Sequence, residues 1–194
     1  MADLINAARA AMIPSLIDID AAYLTVLISA ASNLVIKHCR RDFVSTVYTD
    51  EVYDGDGTYV LLLRQFPVTA LTSVKTVESD GNEETCLTAQ FRVDYDIGEI
   101  RHIPECTCAY TYFPAGYRNI KVSYTAGFAV VPEDVQEATA QTIAWLYANA
   151  SIAANMESWK LGDAAAKYKL ETADMPLLPA SVRALLGPYR NVRV

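Results

Sequence analysis

His102, Cys106 and Cys108 are the residues whose types and spacing come closest to a site of chemistry. Imidazole nitrogen and thiolate sulfur are ligands that zinc prefers, and three or four of them must converge tetrahedrally. Cys86 could supply a fourth ligand. However, C-x-C lacks the usual spacer between paired ligands, and cysteines at alternate strand positions also pack on one buried face as small apolar side chains. A small metal-binding module or enzyme therefore stays as the more distant hypothesis.

Asp54 and Asp56, each followed by glycine, resemble the start of a calcium-binding loop. The EF-hand pattern requires a carboxylate at its twelfth position, and Gln65 stands there when counting from Asp54. Asp-Gly pairs are also the chemistry of tight turns. The sequence therefore favours a turn, with the flanking runs 47–52 and 59–63 forming a β-hairpin.

Motifs of catalysis are absent from the sequence. It contains no G-x-S-x-G, H-E-x-x-H, P-loop or Rossmann fingerprint. Of its two histidines, His38 lies where a helix is predicted to end, and His102 has no evident triad partner. We therefore predict no catalytic residue, no cofactor and no enzymatic activity.

The composition of the chain argues against several classes of protein. The net charge of −7 argues against a protein that grips DNA, because such proteins cluster Lys and Arg against phosphates. Four irregularly spaced cysteines do not make the disulfide framework of a small secreted domain. No signal peptide and no long apolar run are evident, so neither secretion nor a membrane is expected. A hydrophobic fraction of 52% with 20% charged residues predicts a surface that meets another subunit.

Aromatic residues cluster just before residue 120. They could form a stacking platform for single-stranded nucleic acid, but only Arg118 and Lys121 accompany them closely. Packing in the core or at a subunit interface is the favoured interpretation. The cluster consists of Tyr110, Tyr112, Phe113 and Tyr117.

Two long helices frame the chain. An apolar stripe of period 3.6 predicts a helix over 18–40, which Asp18 or Asp20 could cap. A second stripe predicts a helix over 132–150, with Pro132 in its first turn and Gly127 supplying a positive φ before it. Each stripe is too apolar to face water, so the two helices should pack together.

The segment 43–125 between these helices is predicted to be a β-rich insertion. Ile120, Val122 and Tyr124 alternate with polar residues, as in a strand with one buried face. About five to seven short strands separated by turn residues indicate an antiparallel sheet or small sandwich. The expected fold is therefore α+β, with a core over 1–150 and an extended C-terminal arm over 151–194 that contains a short helix.

The stretch I-K-V-S-Y-T-A-G-F-A-V-V-P-E-D-V at 120–135 resembles the signature of the head–tail connector (adaptor) proteins of tailed bacteriophages. Further features occur in that family in the same order as here. They are R-R-D-F at 40–43, Y-D-G-D-G at 53–57, the apolar residues 61–63 and the segment 66–71. The resemblance covers about residues 16–150.

The resemblance implies a structural virion protein, made in the host bacterial cytoplasm and placed in the neck. It implies a homo-oligomeric ring of about twelve copies between the portal protein and a downstream neck or tail protein. DNA would pass through the lumen without specific binding. A tail-completion protein of the same neck, a stopper or terminator, is the alternative.

The C-terminal end is basic, in contrast to the acidic remainder. No acidic residue follows Asp174. We expect the end to dock on a neighbouring subunit or the portal, and a tail folded back on its own acidic body is the alternative. The expected interface residues are Arg183, Tyr189, Arg190 and Arg193.

Overall fold

The computed structural model describes residues 3–16, 19–78, 80–103, 112–152, 158–161, 164–167 and 178–191. The chain divides into two compact units: a helical unit, residues 1–40 with 131–193, and a β unit, residues 41–130. The helices are α1 (Ala7–Ala10), α2 (Ala21–Cys39), α3 (Glu133–Ile152) and α4 (Ala180–Leu186). The strands are β1 (Thr46–Gly55), β2 (Val60–Leu62), β3 (Val68–Val77), β4 (Glu83–Cys86), β5 (Phe91–Asp94), β6 (Glu99–His102), β7 (Gly116–Ala126), β8 (Ser158–Leu161) and β9 (Ala164–Lys167).

Helix α2, predicted over 18–40, starts after Asp20, whose carboxylate accepts from the amide of Ala22. It ends where Arg40 adopts a left-handed conformation, with φ of 54°. One face of α2 is buried and packs against α3. That face consists of the predicted stripe residues Leu24, Leu27, Ile28, Ala31 and Val35, together with Ser32 and Cys39.

Helix α3 begins one residue after Pro132 and carries Glu133 and Asp134 in its first turn, where the helix dipole favours negative charge. Its buried face includes two hydroxyl side chains. Thr139 and Thr142 are fully buried, and each donates a 2.7 Å hydrogen bond to the carbonyl four residues earlier. These bonds satisfy the hydroxyls within the helix, so the polar residues can lie among Val135, Ala138 and Ile143 without an unmet donor.

The β unit contains two antiparallel sheets. Strands follow the order β1-β7-β3-β4 in one sheet and β2-β6-β5 in the other. A single apolar cluster draws side chains from both sheets, which is the layered arrangement of a small sandwich. The alternation predicted at Ile120, Val122 and Tyr124 corresponds to strand β7, where all three residues are fully buried.

The predicted hairpin between residues 47–52 and 59–63 is wrong. Strand β1 pairs with β7 instead, and β2 pairs with β6. The intervening turn is held by Asp56, whose carboxylate accepts from the amide and hydroxyl of Thr58. This turn leads the chain into the second sheet because Leu61 and Leu63 pack in the shared core rather than beside β1.

By length and composition, α2 is the one helix in the described part of the chain that could cross a membrane. The buried core helix of a protein in water passes the same test, and the inner face of α2 packs within its own unit.

Candidate interaction surface

The end of the C-terminal segment, expected to be an extended arm, packs on the helical unit over residues 178–191. Val182 and Leu186 of α4 are fully buried, and α4 lies against α3. Their spacing of four residues places both apolar side chains on one helix face, which explains why the segment folds onto the helical unit. Arg183 lies on this helix with its side chain exposed, whereas Arg193 lies outside the described residues.

Two hydrogen bonds hold the end of this segment. The amide of Asn191 donates to the carbonyl of Cys39 at 2.8 Å. The Tyr189 hydroxyl lies 3.4 Å from the Asp134 carboxylate, at the start of α3. Residues 178–191 therefore fold back on the helical unit of their own chain, and they still present Arg183 and Arg190 to solvent.

Three cationic residues and a histidine lie at one end of the helical unit, which we call the basic end: Lys37, Arg183, Arg190 and His38. The bond from Asn191 to Cys39 brings Arg190 to the last turn of α2. Burial, followed by the positive charges of Arg190 and Arg183, lowers the pKa of His38. Among described residues, none of the four lies within 4.0 Å of a carboxylate oxygen in an ion pair.

The outer side of α2 is exposed and lacks charge. Val26 is 62% exposed and Tyr23 is 39% exposed, and the Tyr23 ring lies 6.5 Å from that of Tyr147 on α3. No charged residue occurs in α2 before Lys37. We call this surface, made of Ala22, Tyr23, Val26 and Ala30, the α2 face. An uncharged exposed helix face of this kind is typical of a protein interface.

The zinc hypothesis is not supported by the described residues, although Cys106 and Cys108 lie outside them. His102 stacks on the ring of Phe91 at a centroid distance of 4.7 Å and lies tilted against the ring of Phe113 at 5.7 Å. Burial raises the pKa of the Cys86 thiol, which disfavours the thiolate that a metal needs. The part of the chain that the structure describes holds no group of three or more potential metal ligands.

The carboxylates of Asp54 and Asp56 both accept hydrogen bonds from backbone amides. Asp54 accepts from the amide of Arg118 at 2.6 Å. Asp56 accepts from Thr58, and these hydrogen bonds lower the pKa of the Asp56 carboxyl. The Asp56 carboxylate therefore holds a turn, as the turn interpretation predicts, whereas the Asp54 carboxylate joins strand β1 to strand β7.

The aromatic cluster separates into a buried and an exposed part. Phe113 is 2% exposed and belongs to the core of the β unit. Tyr112 and Tyr117 are exposed and line a groove of about 1040 Å³ beside β4, and Tyr110 lies outside the described residues. Core packing is therefore confirmed for Phe113, and packing of the exposed Tyr112 and Tyr117 at a subunit interface stays a prediction.

A carboxylate bonded to two tyrosines in the β unit was missed by the sequence analysis. The hydroxyls of Tyr53 and Tyr124 each donate to Glu51 at 2.5 Å. Glu51 and Tyr53 are two positions apart on a strand, so they share a face, but the pairing of β1 with β7 could not be anticipated.

The sequence profile of the head completion protein family matches residues 14–192. This chain belongs to the head completion protein family. No curated protein matches the sequence significantly. The family membership confirms the resemblance to the connector proteins, and with it a structural role in the virion neck.

Solved structures share the fold of this head completion protein. A chain from the "neck of empty GTA particle computed with C6 symmetry" matches with a TM-score of 0.57 and 20% identity, covering 100% of this chain and 97% of that chain. A chain from the "neck of native GTA particle computed with C12 symmetry" matches with a TM-score of 0.51 and 21% identity. That match likewise covers 100% of this chain and 97% of that chain. A chain from the virion of a native gene transfer agent matches with a TM-score of 0.50 and 23% identity. That match covers 91% of this chain and 80% of that chain.

Proposed function

We propose that this head completion protein is the protomer of a head–tail connector ring, which lies between the portal and the tail and lines the DNA conduit. The family match over residues 14–192 carries this proposal. The similar structures come from necks computed with C6 and C12 symmetry, which supports a ring of about twelve copies.

The α2 face suits the subunit contact of such a ring. In a head-to-tail ring every copy presents two different surfaces, one to each neighbour. An apolar face that stays exposed in a single chain is stabilised when a neighbour covers it, because apolar area is removed from water. Val26 and Tyr23 would lie at the centre of this contact.

The negative net charge of the chain is compatible with a role in the wall of the DNA conduit. At −7 the chain repels phosphate, so DNA passes a wall built from many copies without being held. The basic end, together with Tyr189 and Arg193, would then face a protein rather than the duplex. The portal on one side and a downstream neck or tail protein on the other are the partners proposed for the ring.

Light scattering tests this function. The mass of the purified protein is measured alone, and then mixed with portal rings at physiological salt. We expect the mass of a ring, either for the purified protein alone or after it assembles on the portal. A chain that stays monomeric and ignores the portal would contradict the connector assignment, and binding to tails alone would favour a stopper or terminator.

A further inference from the structure

Charge is divided unequally between the two units of the chain. Residues 41–130 hold 13 Asp and Glu against 7 Lys and Arg, which gives the β unit a formal charge of −6 out of a total of −7. The remaining residues hold 10 Asp and Glu against 9 Lys and Arg. The helical unit is therefore nearly neutral overall and concentrates cations at its basic end.

Exposed cationic side chains lie together at the basic end. Arg183 and Arg190 are exposed, and the 2.8 Å hydrogen bond from Asn191 to Cys39 holds their segment at the last turn of α2. Neither arginine forms an ion pair with a described carboxylate. Like charges held together repel one another, and an opposite charge from outside the chain would relieve that repulsion. The basic end is thus suited to an acidic protein surface.

The hairpin of β3 and β4 offers such a surface. Glu78 and Glu84 are exposed there, and neither pairs with a Lys or Arg within the described ranges, whereas Glu83 pairs with Lys121 and Lys75. The groove of about 1040 Å³ beside β4 is lined by both glutamates. Leu87 and Tyr117 of the same groove are 67% and 81% exposed, so apolar contact area accompanies the free carboxylates.

Other acidic turns of the β unit are less available. Asp94 accepts from the amides of Asp96 and Ile97, and Asp56 accepts from Thr58. Glu99 is paired with Arg101. Among the described carboxylates, Glu78 and Glu84 lie on one hairpin without an ion pair, so both can receive a cation from another molecule.

We propose that the basic end of one protomer docks on the β3–β4 hairpin of the next, with Arg183 and Arg190 facing Glu78 and Glu84. This inference rests on the proposed ring and names a contact within it. It commits to a second copy of this chain because the chain itself supplies both charges, as a head-to-tail contact requires. Duplex DNA fits less well because the acidic groups of the wall would repel its phosphates.

Charge exchange tests the contact. One variant carries Arg183→Glu and Arg190→Glu, and the other carries Glu78→Lys and Glu84→Lys. Each variant places like charges across every contact of a ring built from it alone. A mixture of the two restores opposite charges across every contact when the copies alternate. Arg92→Glu is the control variant. It replaces an exposed arginine of the β unit and changes the charge by the same amount as a single Arg190→Glu.

The readout is the number of joined particles made in host cells whose particle genome lacks this gene. Each variant alone is expected to reduce that number about tenfold or more, and co-expression is expected to restore it. Thermal unfolding of the purified variants checks that each still folds. Arg92→Glu should join heads and tails like the unmodified protein.

The outcomes separate the two proposals. Joined particles in the complete absence of the protein would overturn the connector function itself. If the absence of the protein abolishes joining but both folded variants join normally, the function stands and the contact is wrong. Failure of each variant and also of the mixture would likewise refute the charge pairing. Salt-sensitive binding of duplex DNA that Arg183→Glu abolishes would reassign the basic end to nucleic acid.

Discussion

The hydroxyl oxygens of Tyr53 and Tyr124 lie 3.1 Å apart although the residues are 71 positions apart in the sequence. Both hydroxyls also donate to Glu51. The rings belong to neighbouring strands β1 and β7, and both residues are buried. This cluster joins an edge strand to the centre of the four-stranded sheet, so it should contribute to the stability of the β unit.

Tyr124→Phe should destabilise the protein by about 1–3 kcal/mol, because a partly buried carboxylate loses a short, charge-assisted hydrogen bond. Urea unfolding followed by circular dichroism measures the change. Tyr95→Phe is the matched control, since Tyr95 is 51% exposed. Equal midpoints for the two variants would show that the cluster does not stabilise the sheet.

Alkaline pH should destabilise the folded protein through the same tyrosines. Burial and the hydrogen bond to Glu51 raise the pKa of Tyr124 and of Tyr53 above the usual value, and burial and Asp42 raise the pKa of Tyr48. Unfolded tyrosine ionises near pH 10. Above that pH the folded chain holds more protons than the unfolded chain, so the free energy of unfolding falls as pH rises.

The contribution of a single tyrosine to this loss can be isolated. The slope of unfolding free energy against pH above about pH 10 should be shallower in Tyr124→Phe by about 1.4 kcal/mol per pH unit. Urea unfolding at several pH values measures both slopes. Identical slopes would mean that Tyr124 ionises as readily in the folded state as in the unfolded state.

Gly127→Ala should be severely destabilising. Gly127 has φ of 114°, and a Cβ atom there would lie 2.5 Å from the carbonyl oxygen of Val44. Backbone strain and the clash together should cost about 3 kcal/mol or more. Gly81→Ala shares the positive φ, at 86°, but its Cβ would meet no atom within 4 Å, so that variant isolates the strain. Similar thermal unfolding midpoints for Gly127→Ala and Gly81→Ala would show that the close approach to Val44 does not affect stability.

Val26→Asp should prevent ring assembly without unfolding the protomer. Val26 is 62% exposed, so a carboxylate there stays hydrated in the single chain but would be buried in the proposed contact. Light scattering with portal rings measures assembly, and Thr49→Asp adds the same charge at an exposed position of the β unit. Normal assembly of Val26→Asp would exclude the α2 face from the subunit contact.

Local signals predicted the helices well. Asp20 as a cap, the stripe from Leu24 to Val35, and Pro132 before Glu133 and Asp134 all act within a few residues, and α2 and α3 follow from them. Gly127 likewise adopts the positive φ that the sequence indicated. Such features depend on backbone geometry that neighbouring residues set.

Strand pairing and the packing of the chain end were not predictable in the same way. The register that places Tyr53 opposite Ile120 depends on residues far apart in sequence, and local alternation does not specify which strands become neighbours. The fold-back of residues 178–191 depends on a surface that α3 provides only after folding. Composition predicted a surface that meets another subunit, yet it could not identify Val26 as an exposed apolar residue.

Cryo-electron microscopy of purified particles tests the central claim most directly, with a small tag fused to this chain and no symmetry imposed. The connector assignment predicts a closed ring of tagged copies between the portal and the tail, with DNA density passing through its lumen. Tag density confined to the capsid shell, the tail tube or the tail tip would contradict it.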